Sequence, residues 1–237
     1  MKRLFVWAHR GASAVAPENT LAAFAAAEAA GAHGLELDVQ LSSDGVPVVI
    51  HDRTLNRTSN GHGSVSRRTL AQLKQLDAGS WFGSGFAGET IPTLEEVFAW
   101  RASRLRINVE IKNAAAGKAV LDLARRFSKV SVVVSSFDYN LLRELRSRAP
   151  ELPLGFLWER GDWTVALESA LACRAESFNP RHTDLSAAMV CACHQQGLAI
   201  HPWTVDGASA LQNCLQLGVD GLFCNDPAQV LTWLAGR

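Results

Sequence analysis

The chain reads GLELDVQLSSDGVPVVIHD over residues 34–52. Two apolar runs, 34–41 and 46–51, are separated here by only four residues that end in Asp44-Gly45. Asp-Gly is a strong signal for a tight hairpin, whereas two parallel strands need a crossover of about a dozen residues. The two runs are therefore predicted to pair as an antiparallel hairpin.

Outside this stretch, short strand-like runs alternate with Ala- and Leu-rich helical segments. The predicted strands cover residues 4–9, 34–41, 46–51, 106–111, 131–136, 154–158, 177–179, 198–203 and 219–224. The predicted helices cover residues 21–30, 94–102, 116–128, 139–149, 164–173, 185–196 and 208–217. Such alternation is typical of a parallel sheet. Without the hairpin arm 46–51, eight parallel strands remain. This predicts an α/β fold, a (β/α)8 TIM-type barrel with a β-hairpin arm after the second strand, as one domain over 1–237.

Residues 53–90 form a long Gly- and Ser-rich insertion with one short predicted helix, 70–76. Segments of this length in a compact domain are usually functional or disordered. Trp81, Phe82 and Phe86 give the insertion apolar surface to bury. We expect a lid over one face of the barrel, with a surface excursion as the alternative.

Composition excludes several classes of protein. Lys plus Arg and Asp plus Glu both number 23, so no net field favours nucleic acid, and phosphate recognition must be local. No apolar run is long enough for membrane insertion. An odd cysteine count without a recognisable signal peptide predicts reduced thiols in the cytoplasm, with Cys191-x-Cys193 as core or surface thiols. The sequence leaves open whether the chain forms a homo-oligomer.

Polar side chains are predicted at the carboxyl ends of the strands, where such barrels build their active sites. Glu36 and Asp38 are two residues apart and therefore point the same way, and Glu110 ends another strand. Three converging carboxylates predict one divalent metal ion with oxygen ligands, Mg²⁺ or Ca²⁺. The alternative is a salt-bridge cluster with Arg10 and Lys112.

Two histidines are predicted to reach the same barrel mouth. His9 ends the first strand, and a two-residue loop at Asp44-Gly45 places His51 opposite Asp38. Imidazoles titrate near neutrality, which suits general acid and general base roles. His9 and His51 are therefore the candidate catalytic pair, and the sequence leaves open which is the acid.

Five further strand-end residues are candidates for binding the substrate. Arg10 can bind phosphoryl oxygens as a fork, and Lys112 as a point charge. Phe137 and Trp203 can form an apolar wall for a small carbon skeleton, with rim packing as the alternative. Asn179 can donate to a substrate hydroxyl.

Several short motifs occur together in order along nearly the whole chain. They are HRG at 9–11, PENT at 17–20, ELDV at 36–39, DGVPVVIHD at 44–52, EIK at 110–112, SF at 136–137 and WTV at 203–205. Together they resemble the glycerophosphodiester phosphodiesterases. The family commonly carries Asn where this chain has Asp206, which puts a hydroxyl-donating role there in doubt. We expect Asp206 to cap the helix that follows, and Asn19 or Thr20 to cap the helix from residue 21.

The resemblance implies a barrel whose divalent ion is held by Glu36, Asp38 and Glu110, with His9 and His51 as the acid-base pair. It implies hydrolysis of a small-molecule glycerophosphodiester to glycerol 3-phosphate and an alcohol. In such enzymes the glycerol hydroxyl next to the phosphate is thought to attack first, giving a cyclic phosphate that water opens. The alternatives are a lysolipid-cleaving enzyme on the same scaffold, a non-catalytic phosphate-binding barrel and a metal-dependent isomerase.

Overall fold

The computed structural model describes residues 4–100 and 105–236. Within these ranges the strands β1–β9 are Phe5–His9, Gly34–Leu41, Pro47–Val49, Arg106–Ile111, Val132–Ser136, Leu154–Trp158, Ser177–Pro180, Ala199–Ile200 and Gly221–Cys224. The helices α1–α9 are Leu21–Ala29, Leu70–Leu73, Leu94–Ala99, Gly117–Arg126, Tyr139–Arg148, Trp163–Ala172, Ala187–Gln195, Ala208–Leu217 and Pro227–Ala235. The predicted helix 94–102 includes residues 101 and 102, which lie outside the described ranges.

Eight of the strands form a parallel sheet in the order β8-β7-β6-β5-β4-β2-β1-β9, and β3 pairs with β2 antiparallel. Backbone hydrogen bonds join the two ends of this order. The Phe223 amide donates to Pro202 O at 3.0 Å, and the Val205 amide donates to Phe223 O at 2.7 Å. The sheet is therefore a nearly closed barrel, and the predicted (β/α)8 architecture with its hairpin arm is confirmed.

Aromatic side chains fill part of the barrel interior. Trp7 stacks on Phe223 with ring centroids 5.8 Å apart, and its indole N–H donates to His201 Nδ1 at 3.2 Å. Gly34 lies beside this indole, and a Cβ at Gly34 would come within 2.5 Å of the ring of Trp7. The glycine is required because a packed barrel interior leaves no room for both groups.

The register of the hairpin differs by one residue from the prediction. The expected pairing placed His51 opposite Asp38, but Val39 pairs with Val49 and the Ile50 amide donates to Asp38 O at 2.9 Å. His51 therefore reaches the barrel mouth from the segment after β3 and not as a cross-strand partner. The predicted register was wrong.

The cause lies in the loop of the hairpin. The Ser42 amide donates to Val46 O at 3.0 Å, which leaves a three-residue loop. Gly45 takes φ +80°, whereas the described non-glycine residues with positive φ are Arg10, Asn19 and Arg174 and do not include Asp44. A two-residue type I′ loop needs positive φ at both positions, but a three-residue loop needs it only at the last.

The insertion 53–90 packs around a small core of its own against the hairpin arm and residues next to it. That core contains Val48, Ile50, Leu55, Val65, Leu73, Ala78 and Ile91. Trp81, which we expected to supply buried surface, is 40% exposed and packs edge-to-face on Phe82 at 5.6 Å. Small aliphatic residues, and not the aromatic group, therefore hold the insertion together.

One helix was missed in the sequence. Helix α9 begins after Asp226, whose carboxylate accepts from the Gln229 amide at 2.9 Å, and Pro227 is its first residue. An Asp cap followed by Pro at the first helical position is a standard start signal. The signal was present, and the helix completes the α/β unit of the last barrel strand.

Two expectations from composition can be compared with the structure. Among the residues that the structure describes, no helix has the length and apolar character needed to cross a bilayer. The five cysteines are free thiols, of which Cys191 is exposed and the other four are buried. Cys191 on α7 is thus a surface thiol and Cys193 a core thiol, in line with the prediction.

The loop assignment makes Gly45→Ala and Gly45→Asn a diagnostic pair. A Cβ at Gly45 meets nothing within 4 Å, so only the positive φ opposes substitution. Alanine in this conformation should lower the free energy of unfolding by about 1–2 kcal/mol, and asparagine by clearly less. Urea unfolding of the two variants measures the difference. Equal losses in both would contradict a loop that strains only residue 45.

Candidate active site

One cavity of about 190 Å³ opens at the carboxyl ends of the barrel strands. It is lined by His9, Arg10, Glu36, His51, Asn108, Glu110, Lys112, Ser135, Phe137, Leu157, Glu159, Trp203 and Phe223. Strand register explains the convergence, because β1, β2, β4 and β5 are neighbours whose last inward-facing residues meet at one rim. Charged and aromatic side chains together line this cavity.

Two carboxylates line this cavity, and a third, that of Asp38, lies next to them. Glu36, Asp38 and Glu110 offer oxygen atoms that all lie within 4.8 Å of one another. Asp38 pairs in register with Glu110 on the neighbouring strand, and all three side chains are buried. Glu36 Oε2 accepts from the Arg10 amide at 2.9 Å, whereas its buried Oε1 has no hydrogen-bond partner in the described structure.

Two cations lie among the carboxylates. Arg10 Nε is 3.2 Å from Asp38 Oδ2, and Lys112 Nζ is 2.9 Å from Asp38 Oδ1 and 2.5 Å from Glu110 Oε1. The predicted metal site and the alternative, a salt-bridge cluster, therefore share the same residues. Three carboxylates face two cations, so the cluster has an excess of negative charge when all three are ionised.

The pKa values reflect this excess of negative charge. Burial, together with the charges of Asp38 and Glu110, raises the pKa of Glu36 well above its ordinary value. Burial also raises the pKa of Glu110 to about 7, against the attraction of Lys112. At Asp38 the positive charges of Lys112 and Arg10 outweigh burial and hold the pKa below its ordinary range. The nearby cations therefore do not fully compensate the negative charges of ionised Glu36 and Glu110.

The donor set fits a hard divalent cation. All three candidate ligands offer carboxylate oxygens, the ligand type that Mg²⁺ and Ca²⁺ prefer. The unpartnered Glu36 Oε1 is an acceptor aimed into a buried site, where an unsatisfied charged group is costly. A cation among the three carboxylates would satisfy it.

The loop between β1 and α1 holds the acidic cluster in place. Asn19 Nδ2 donates to Asp38 Oδ2 at 2.8 Å, and the Asp38 amide donates back to Asn19 Oδ1 at 3.2 Å. Thr20, not Asn19, caps α1 by accepting from the Ala23 amide. Glu18 accepts from Arg10 Nη1 at 2.9 Å, so the PENT motif orients both an acid and a cation of the site.

Both candidate catalytic histidines line the cavity, and each has a partner on Nδ1. His9 Nδ1 lies 2.8 Å from Asn225 Oδ1, and His51 Nδ1 lies 2.6 Å from Asp52 Oδ1. The nearest carboxylate oxygen to His9 Nε2 is Glu36 Oε2, at 4.0 Å. An ionised carboxylate can only accept, so the contact with Asp52 places a hydrogen on His51 Nδ1 and leaves Nε2 available.

Burial lowers the pKa of both imidazoles, but their other surroundings differ in kind. Burial and the charge of Arg10 lower the pKa of His9 to about 4. Burial lowers the pKa of His51 as well, while the charge of Asp38 and the bond to Asp52 oppose this. A carboxylate partner stabilises an imidazolium better than an amide does.

The apolar wall also faces the cavity. Phe137 and Trp203 both line it and pack edge-to-face with centroids 5.7 Å apart. Asn179 lies elsewhere, fully buried in the barrel interior, where its Oδ1 and Nδ2 have no partner in the described structure. The Trp203 indole N–H donates to the backbone oxygen of Asn179 at 2.8 Å, so the main chain of Asn179 supports the wall.

Several residues of the site were missed in the sequence. Asn225 follows β9, so the strand-end rule that selected His9 applies to it as well. Asn108 shares the inward face of β4 with Glu110, and its Oδ1 accepts from Ser135 Oγ at 2.7 Å. Arg57 bonds Glu18 and Asp52 from the insertion, and no local pattern marks it.

The expected helix cap at Asp206 is wrong. Residue Gly207 occupies the cap position of α8, and no side chain caps that helix. Asp206 instead accepts from the backbone amide of Asn225 at 2.9 Å and from its Nδ2 at 2.5 Å. The carboxylate therefore serves the loop behind His9.

The chain is similar to proteins of one family. Residues 9–229 match the model of the glycerophosphoryl diester phosphodiesterase family. A glycerophosphodiester phosphodiesterase of Caldanaerobacter subterraneus subsp. tengcongensis is 40% identical, with 98% of this chain and 97% of that protein covered. A glycerophosphodiester phosphodiesterase of Bacillus subtilis is 32% identical, with 95% and 84% covered.

Solved structures give the same result. A phosphodiesterase of Oleispira antarctica, in complex with the product sn-glycerol-3-phosphate, superposes with a TM-score of 0.92 at 30% identity, with 98% of this chain and 96% of that chain covered. The glycerophosphodiester phosphodiesterase of Thermotoga maritima gives 0.85 at 29% identity, with 98% and 99% covered. The family match over most of the chain and these relatives agree with the site, and the chain belongs to the glycerophosphoryl diester phosphodiesterase family.

Proposed function

We propose that this chain hydrolyses glycerophosphodiesters, such as glycerophosphocholine and glycerophosphoethanolamine, to sn-glycerol 3-phosphate and an alcohol. The observation that carries the proposal is the meeting of two histidines, two cations and a buried carboxylate cluster around one cavity. A metal-dependent isomerase would tolerate the carboxylates but gives no reason for His9-Arg10 together with His51 after the hairpin arm. The bound product in the Oleispira relative supports a substrate of this class.

Proton transfer is assigned to His9 and His51. One imidazole takes the proton of the glycerol hydroxyl next to the phosphate as that oxygen bonds to phosphorus. The other, which starts protonated, gives its proton to the alcohol oxygen as the bond from that oxygen to phosphorus breaks. The product of this step is a cyclic phosphate, and water opens it with the two roles reversed. Both histidines line the same cavity, as this exchange requires.

Stabilisation of the negative charge on the phosphoryl group is assigned to Arg10 and Lys112, which line the cavity beside the carboxylates. Glu36, Asp38 and Glu110 would hold one divalent ion, Mg²⁺ or Ca²⁺. When bound, this ion supplies positive charge that stabilises the phosphoryl oxygens. Phe137 and Trp203 pack against the carbon skeleton of the glycerol and exclude water on that side.

The proposal leaves out the predicted hydrogen bond from Asn179 to the substrate, because this side chain is fully buried and does not line the cavity. The compartment completes the proposal. The free thiols of the cysteines in the described chain suit a reducing compartment, so we assign the protein to the cytoplasm.

Release of glycerol 3-phosphate from glycerophosphocholine tests the activity. We expect release that EDTA abolishes and that Mg²⁺ or Ca²⁺ restores. Lysophosphatidylcholine serves as the competing substrate, because a lysolipid-cleaving enzyme would prefer it. No release from several headgroups with either ion would overturn the proposed function.

The histidine assignment is tested with His9→Ala and His51→Ala. Each should lower kcat by about 10² or more, because general acid-base catalysis contributes about 10²–10⁴-fold. The exposed His62 lies outside the cavity, so His62→Ala is a matched control with unchanged kcat. Full activity in either of the first two variants would remove that histidine from the mechanism.

Metal binding should stabilise the protein in a pH-dependent way. Glu110 has an ordinary pKa of 4.5 and a folded pKa of about 7, so the folded state binds more protons within this window. In EDTA, the free energy of unfolding should therefore fall as pH rises through this window. A metal ion replaces these protons, so Mg²⁺ or Ca²⁺ should raise Tm more at about pH 8 than at about pH 5.

Thermal denaturation with EDTA or added metal measures this effect, and Glu110→Gln is the control. This variant removes one charge from the cluster at constant shape. It should stay folded and lose most of the metal-induced rise in Tm. A variant that fails to fold would identify Glu110 as a structural carboxylate, and equal rises at both pH values in the unmodified protein would contradict the assignment of the ligands.

A further inference from the structure

The side chain of Asn225 contacts His9 and is also hydrogen-bonded to Ser13 and Asp206. Its Oδ1 lies 2.8 Å from His9 Nδ1 and accepts from Ser13 Oγ at 2.9 Å. At the other end of the same amide, Nδ2 donates to Asp206 Oδ2 at 2.5 Å. The backbone amide of Asn225 donates to the second oxygen of Asp206 at 2.9 Å. Asp206 thus uses both carboxylate oxygens on one residue.

The direction of these bonds follows from what each group can donate. An ionised carboxylate only accepts, so the NH₂ of Asn225 must face Asp206 and the amide oxygen must face His9. The amide oxygen in turn only accepts, so the hydrogen of the neutral His9 ring must be on Nδ1. Nε2 of His9 then carries the lone pair on the cavity side.

We propose that Asp206 is a positioning residue that fixes the tautomer and orientation of His9 through Asn225. Asp206 is absent from the residues that line the cavity in the described structure, so it acts through its neighbour and not on the substrate. The inference rests on the proposed acid-base role of His9, which requires a free Nε2. Partners of this kind, one shell behind a reacting group, commonly change activity by about 10–100-fold when they are removed.

The negative charge of Asp206 determines which end of the Asn225 amide faces His9. An amide in its place offers one oxygen and one NH₂, and so can accept only one of the two N–H bonds from Asn225. Its NH₂ would then face the NH₂ of Asn225, and two donors repel each other. A flip of the Asn225 amide removes this repulsion. A flipped amide presents NH₂ to His9 Nδ1, and the imidazole hydrogen moves to Nε2. Asp206→Asn therefore exchanges one tautomer for the other without removing volume.

Exchanging the two side chains preserves each bond of the relay. In the double variant Asp206→Asn/Asn225→Asp, the introduced amide accepts from the backbone N–H of residue 225 and donates to the introduced carboxylate. That carboxylate accepts from His9 Nδ1 and Ser13 Oγ as the amide oxygen did before. The single variant Asn225→Asp instead puts two carboxylates at a 2.5 Å contact.

The test measures kcat and KM for glycerophosphocholine in these variants. Asp206→Ala, Asp206→Asn and Asn225→Asp should each lower kcat by about 10–100-fold with little change in KM. The double exchange should recover most of the lost kcat. In Asp226→Ala, the matched control, the cap of α9 is lost next to the relay, so Tm falls while kcat is unchanged.

A second measurement reads the tautomer without activity. The ¹⁵N shifts of histidine-labelled protein distinguish a hydrogen on Nδ1 from one on Nε2. We expect His9 to hold it on Nδ1 in the unmodified protein and the double exchange, and to shift toward Nε2 in Asp206→Asn. An unchanged His9 signal and unchanged kcat in Asp206→Asn would overturn the inference, even if Tm fell. Full activity in His9→Ala would instead remove the proposed role of His9 while the shifts still decide the tautomer.

Discussion

Three carboxylates buried within 4.8 Å of one another are the constraint on which the rest of this molecule depends. Like charges at such distances repel strongly once water is excluded. Arg10 and Lys112 compensate part of this charge, and the raised pKa values of Glu36 and Glu110 mark the part that is left for a metal ion. The burial of the large apolar core supplies the free energy that offsets this repulsion.

The elements around the mouth can each be understood as support for that cluster. The loop after β1 places Asn19 on Asp38 and Glu18 on Arg10. Helix α1 begins immediately afterwards at a Thr20 cap, which fixes the end of the loop. Two histidines then stand at the edge of the same charged group, each held through Nδ1.

Much of this could be predicted, because a strand has a period of two and parallel strands end at one rim. These two rules alone selected Glu36, Asp38, Glu110 and His9 from residues far apart in the chain. The hairpin register could not be predicted in this way, because both a two-residue and a three-residue loop accept the same Asp-Gly sequence. Contacts of Arg57 and Asp206 depend on how distant segments pack, and no local pattern encodes them. Helix α9, in contrast, could have been predicted, because Asp226 and Pro227 are a standard start signal.

Arg57 illustrates a limit on how freely this fold can vary. Its guanidinium joins Glu18, which holds Arg10, to Asp52, which holds His51. Barrel enzymes often diversify by exchanging the segments that follow their strands. Here an exchanged insertion would have to bring a cation to the same place, or Glu18 and Asp52 would lose the partner that joins them. The segment is therefore not an independent module, because the barrel mouth uses one of its side chains.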